Sequence, residues 1–264
     1  MPYSRSWIWL TLLLLLTIPA FWPNYLGVLG NAEWQLHVHG VTAGLWMALL
    51  VWQSWSIHHK RRAAHRAAGI FGLVLMPPFL AGGLLVIATM AGRNTPFATM
   101  FGAPLALTDS ISVVSIAAFF YLALKHRRNV GLHGGWMLAT VFPLVSPVVA
   151  RLTPDFVPGL TISSLEELPR FSGSIHLATA IALAAALYAY FRYRRHGTPF
   201  LAVAVMLVAH TIAFQWLGRM PWWTDIHQAI GATSPSYLIA IGVIAGSVIV
   251  YLGWNAGKAT ASGQ

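Results

Sequence analysis

The chain contains no cysteine. That excludes disulfides, thiolate-bound metals, iron–sulfur clusters and covalently attached c-type haem. Charge is also scarce: 8% of the 264 residues are charged, against 57% hydrophobic, and only six are acidic. No Gly-rich phosphate loop follows a strand pattern, and there is no nucleophile elbow, low-complexity tract or internal repeat. Activities built on those motifs have no footing here, and no catalytic residue can be named from them.

What is present is a series of apolar runs. Eight are read as membrane helices: Trp7–Trp22, Leu36–Ile57, Ala68–Ala91, Leu105–Leu124, Leu132–Ala150, Phe171–Phe191, Phe200–Leu217 and Ser236–Trp254. Most approach the ~20 residues that a ~30 Å hydrocarbon core requires. The runs are continuously apolar rather than alternating, which favours helices over a barrel. The expected fold is therefore all-α, a polytopic helical bundle forming one integral membrane domain over 1–264. The first run has the outline of a signal peptide, but Pro19-Ala20-Phe21-Trp22 lacks a small-x-small cleavage site, so a retained helix is expected.

The few charges give an orientation. Arg5, the Lys60-Arg61-Arg62 run with Arg66, Lys125 with Arg127 and Arg128, Arg192 with Arg194 and Arg195, and Lys258 fall on one side. Only Arg93, Arg151, Arg170 and Arg219 fall on the other, and the acids lie on or near that side too. The positive-inside rule puts the twelve basic residues of the first set, and both termini, in the cytoplasm. This is the pattern of a bacterial inner-membrane protein. The net charge of +10 then faces anionic lipid at the inner leaflet and does not indicate nucleic acid.

Ionisable residues inside membrane spans are costly and are functional candidates by default. Of eleven histidines, His58, His59, His126 and His196 sit beside basic loops and read as interfacial. His37 and His39 open span two at the outer side. His176 and His210 fall at similar depths in consecutive spans six and seven, and Asp109 lies about one turn into span four. Paired imidazoles on facing helices are the arrangement that holds b-type haem, and three of them converging with Asp109 would bind copper or zinc. The bland alternative is that each His hydrogen-bonds a neighbouring helix and no cofactor is bound.

Span two carries a further signal. His39, Trp46 and Gln53 are spaced by seven and line one helical face from outside to inside. On the inner side, Gln53, His65-Arg66 with Gly69 after them, and His133 followed by Trp136-Met137 form a second polar set, which reads either as a cluster or as interfacial anchors. Arg151 lies toward the outer side, placed to pair with Asp109 or to hold an anionic group such as a haem propionate.

The ordered set His37-x-His39, Trp46, Gln53, His65-Arg66-x-x-Gly69, Asp109, His133-x-x-Trp136-Met137 and Arg151 resembles a family of uncharacterised bacterial multi-spanning membrane proteins. The resemblance covers about residues 33–151 and implies no particular activity. More remotely, a histidine-bearing bundle is similar to the cytochrome b561 group and to haem A synthase, without their full spacing of paired histidines. That similarity is architectural, and fold analogy does not establish function.

Two functions are expected to compete. The first is a membrane redox protein holding haem b, or copper, near the outer face and exchanging electrons with a quinone or a periplasmic partner. His176 and His210 would be the ligands, His39 and His37 their substitutes, and Trp46 and Arg151 would shape or clamp the cofactor. The second is a proton-coupled carrier centred on Asp109 and the outer histidines, with Pro77-Pro78, Pro143 and Pro147 breaking helices. A membrane assembly factor without catalysis is a third reading. Whether the protein is an enzyme stays open.

Overall fold

A computed structural model describes residues 2–259. Among them are ten α-helices and no strand: α1 (Ser6–Phe21), α2 (Trp34–His58), α3 (Arg62–Ala91), α4 (Pro96–Lys125), α5 (Val130–Ala139), α6 (Phe142–Phe156), α7 (Phe171–Arg192), α8 (Thr198–Gln215), α9 (Pro221–Ala232) and α10 (Pro235–Ala259). Short 3-10 turns join several of them. Six segments are long and apolar enough to cross a membrane: Arg62–Ala91, Pro96–Lys125, Val130–Phe156, Leu165–Arg192, Thr198–Arg219 and Pro235–Lys258. The chain is thus an integral membrane protein. α1 is apolar but short at 16 residues. α2 has the length, at 25 residues, but His37, His39, Gln53 and four tryptophans dilute its hydropathy.

Local sequence explains the helix boundaries. α4 starts at Thr95, whose side chain accepts a hydrogen bond from the Ala98 N–H at 3.2 Å, with Pro96 in the first helical position. α5 starts at Asn129, whose side chain accepts from the Leu132 N–H at 3.1 Å. α5 and α6 form one apolar stretch broken at Thr140-Val141, where Pro143 supplies no N–H and its ring crowds the preceding turn. α9, a short helix beginning Pro221-Trp222-Trp223, was not foreseen. It buries Trp223 and His227 on one face and exposes Trp222 and Ile226.

Hydrogen bonds tie the basic ends of several helices together. The Tyr3 hydroxyl donates to Gly131 O at 3.1 Å and His196 O at 3.3 Å, joining the start of the chain to the starts of α5 and α8. Arg127, past the end of α4, donates to Trp254 O near the end of α10 at 2.8 Å. These contacts place the Lys/Arg clusters at one end of the bundle. The Arg93–Glu33 ion pair, at 3.0 Å, belongs to the opposite end.

Lipid is as apolar as the helix faces, so close packing rather than water exclusion drives association. α10 shows the device. Gly242 and Gly246, four apart, lie against the α3 backbone at Ala81 and Pro77, where an added Cβ would collide with main-chain atoms. The centre of the bundle is aromatic. Trp46 has no exposed surface, stacks on Phe79 at 5.4 Å and meets the Phe120 edge at 5.4 Å.

Gly242→Leu is expected to destabilise the bundle by about 1–3 kcal/mol, the usual cost of overpacking. Gly30→Ala, with nothing within 4 Å of the added atom, is expected to be near neutral. Thermal unfolding in detergent compares the two.

Candidate cofactor site

The bundle has a partly open cavity of about 570 Å³ at its Lys/Arg-rich end. The last two turns of α2, the first turns of α3 and of α5, and the end of α4 build its walls. Most of the lining is apolar, including Leu50, Leu73, Phe120 and Met137. Into it come Gln53, His65, Arg66 and His133, the whole inner polar set that the sequence singled out. That volume is within the range of about 300–1,000 Å³ usual for ligand pockets.

His65 and His133 are placed alike. Each is the fourth residue of its helix, α3 and α5 respectively. His65 Nδ1 lies 3.2 Å from Gln53 O, and His133 Nδ1 lies 2.8 Å from Ala123 O. Ala123 O is open to this bond because α4 tightens at its end, where the Arg127 N–H turns to Leu124 O instead. A carbonyl only accepts, so in both rings Nδ1 carries the hydrogen and Nε2 keeps its lone pair. Neither Nε2 has a hydrogen-bond partner among the described residues. The two imidazoles line the same cavity.

Gln53 completes the set. Its Oε1 is buried without a partner. Gly69 leaves room for the amide: a Cβ there would stand 3.3 Å from Gln53 Nε2. The Arg66 side chain is exposed at the mouth. Two contributors were not foreseen. Arg127 lies over the Trp254 ring at 4.5 Å. The start of the chain straps the cavity, with His58 Nε2 3.2 Å from Pro2 O and the Ser6 and Ser54 hydroxyls 2.6 Å apart. Basic clusters and a Tyr near the first residue were visible in the sequence, but nothing local tied them to this cavity.

The outer residues are arranged differently. His37 Nδ1 is 3.1 Å from the Tyr25 hydroxyl. His210 is buried, with Nε2 3.2 Å from Ser112 Oγ on α4. His176 Nε2 lies 3.2 Å from Gln215 Oε1, and its ring meets the Phe214 edge at 5.7 Å. α7 and α8 are neighbours, as expected, but His176 and His210 serve separate partners. Gln215 is five residues past His210, about 7.5 Å along the axis. His227 is buried with Nε2 3.3 Å from Ile87 O. Among the described residues, no three His, Asp or Glu side chains gather where one metal ion could sit.

His39 on α2, Asp109 on α4 and Arg151 on α6 belong to the region outside the cavity lining. Arg151 turns inward, donating to Pro147 O at 2.9 Å and lying over the Phe21 ring at 4.6 Å. Trp46 separates this region from the cavity. Its Nε1 donates to Thr140 Oγ1 at 3.1 Å, and Phe120 stands between its ring and the cavity. The spacing of seven on α2 thus places one residue in each layer: His39, Trp46, Gln53.

No protein-family model, curated protein or solved structure matches the chain. The resemblance drawn from the motifs rests on those residues alone.

Burial pushes the Tyr3 hydroxyl up to about 12 from 10.0. An unfolded tyrosine loses its proton first, so between those values the folded state binds more protons and stability falls as pH rises. Stability of the strapped end is expected to drop across that alkaline window, and Tyr3→Phe should flatten the drop. Hydrogen exchange at the starts of α5 and α8 measures it.

Proposed function

We propose that this protein is a membrane redox carrier that holds haem b in the cavity at its Lys/Arg-rich end, with His65 and His133 as ligands. The observation that carries this reading is the pair of imidazoles, each with Nδ1 held by a backbone carbonyl and Nε2 presented to an apolar chamber. Pinning Nδ1–H in this way sets the tautomer and the ring orientation that metal-ligating histidines need. The apolar walls suit a macrocycle, and Arg66 at the mouth suits its acidic edge. Haem, when bound, supplies one-electron transfer. The chain's part is to position the two nitrogens, exclude water and balance the acidic groups.

This reading keeps the chemistry expected from the sequence and moves it from the outer face to the opposite end. There, the electron partner is a lipid-soluble quinone. His176 and His210 become helix-to-helix contacts rather than ligands. Among the described residues no three-residue ligand group gathers, which weighs against copper or zinc.

The full topology belongs to the same proposal. α1, α2, α3, α4, the broken α5–α6 pair, α7, α8 and α10 cross the membrane, eight spans in all. Both termini are cytoplasmic, and the membrane is the bacterial inner membrane. Reporter fusions after Ala63 and after Leu160 are expected to report cytoplasm and exterior. The reverse result would invert the assignment.

For the cofactor, purified protein supplemented with haem is expected to show a Soret band. His65→Ala and His133→Ala should each abolish or shift it, and His176→Ala and His210→Ala should leave it unchanged. A wild-type protein that stays colourless would overturn the haem reading. Loss of the band in His176→Ala and His210→Ala alone would return the site to the outer half.

A further inference from the structure

α9 is too short to cross a membrane. Its 12 residues span about 18 Å at ~1.5 Å per residue, against a hydrocarbon core of ~30 Å. It follows α8 and precedes α10, which lie in segments long and apolar enough to cross. Its contacts run sideways over the end of the bundle opposite the Lys/Arg clusters. Trp223 Nε1 donates to Ala103 O on α4 at 2.7 Å. One turn on, His227 Nε2 lies 3.3 Å from Ile87 O on α3. One turn further, Gly231 packs on Ala91, the last residue of α3, where an added Cβ would collide. The linker before α9 is fixed as well, because Gly218 leaves no room for a Cβ beside the Pro104 backbone. α9 therefore crosses obliquely from α4 to α3, within about two turns of their Pro96 and Ala91 ends.

The surface of α9 divides into three arcs. At about 100° per residue, Trp223, His227 and Ile230 share the arc that faces the bundle. Trp222, Ile226 and Ala229 fill the arc beside it. Trp222 is 50% and Ile226 44% exposed, so neither is packed on the bundle. Asp225 and Gln228, both exposed, point the other way. The apolar strip has a source. On α8 the exposed residues Leu201, Val205, Val208 and Ile212 make one stripe at helical spacing, which is the face a spanning helix turns to lipid. The stripe leads on through Trp216, Leu217 and Met220, also exposed, to Trp222.

A helix that lies across the end of a bundle, with an apolar strip that extends a lipid-facing stripe, fits the boundary between headgroups and acyl chains. Tryptophan favours that level, since its ring is apolar and its N–H meets polar groups. We propose that α9 is an interfacial helix seated in the leaflet at the end opposite the Lys/Arg clusters. Trp222, Ile226 and Ala229 enter the acyl boundary, and Asp225 and Gln228 stay in water. The seat is apolar rather than electrostatic, because α9 contains no Lys or Arg to offer an anionic headgroup. It needs no haem and no choice of which end is cytoplasmic, so it stands or falls separately from the proposed function.

The lack of cysteine makes the test direct, because one introduced thiol is labelled alone. Ile226→Cys, Ala229→Cys, Asp225→Cys and Gln228→Cys, all at exposed positions, are nitroxide-labelled singly in the full chain in phosphatidylcholine vesicles. Collision with oxygen, concentrated in lipid, and with a neutral nickel complex, confined to water, measures the depth of each label. Oxygen is expected to dominate at Ile226→Cys and Ala229→Cys, and nickel at Asp225→Cys and Gln228→Cys. Adding phosphatidylglycerol should change neither. Two positions on each arc keep the pattern readable should one variant fail to fold. Nickel dominating at all four would put the strip in water and overturn the proposal. Labels on Ile226→Cys and Ala229→Cys shielded from both reagents would mean that a second copy or another protein covers the strip, and overturn it too. Insertion only when phosphatidylglycerol is present would overturn the apolar seat.

Discussion

The bond from Trp46 Nε1 to Thr140 Oγ1 is the interaction around which the interior is organised. Thr140 sits where α5 gives way to α6, and such a break exposes backbone groups that lipid cannot satisfy. Its hydroxyl also donates to Met137 O at 2.7 Å, so one side chain serves both the break and the indole. Trp46 in turn is fully buried against Phe79 and Phe120. The result is a buried aromatic layer across the middle of the bundle. Polar groups can collect on either side of it without meeting.

The two polar regions obey different rules. On the Lys/Arg-rich side, the bonds made by His65 and His133 go to backbone carbonyls, which sets the tautomer and leaves each Nε2 free to accept. That suits a ligand that must be met at fixed points. On the other side, the hydrogen bond Arg151 makes is to its own helix, and His39 Nδ1 is buried without a partner among the described residues. The other outer histidines are engaged one by one, on separate partners. Tyr25, Ser112, Gln215 and Ile87 each occupy one of them.

Much of this was legible in the residues. Apolar runs and scarce charge marked the helices, because only internally bonded helices carry a backbone through lipid. The α2 period of seven placed His39, Trp46 and Gln53 on one line, which runs through all three layers. His65, Arg66, Gly69 and His133 were recognisable as a set, although an interfacial role for them was the favoured reading. α9 was missed because twelve residues beginning Pro221-Trp222-Trp223 resemble a loop when only long runs are counted.

The sequence by itself determined that the protein is helical, lives in a membrane and carries long apolar helices, since these follow from transfer energies and helix length. Only the tertiary structure decided which polar residues meet. His176 and His210 are on adjacent helices at neighbouring depths, yet a difference in which way each ring turns gives them separate partners. His65 and His133 are 68 residues apart along the chain and come together because α3 and α5 begin at the same end and line one cavity. Depth and spacing are one-dimensional and can be read from a sequence. Ring rotation and lateral helix order depend on packing across the bundle, which no single helix contains.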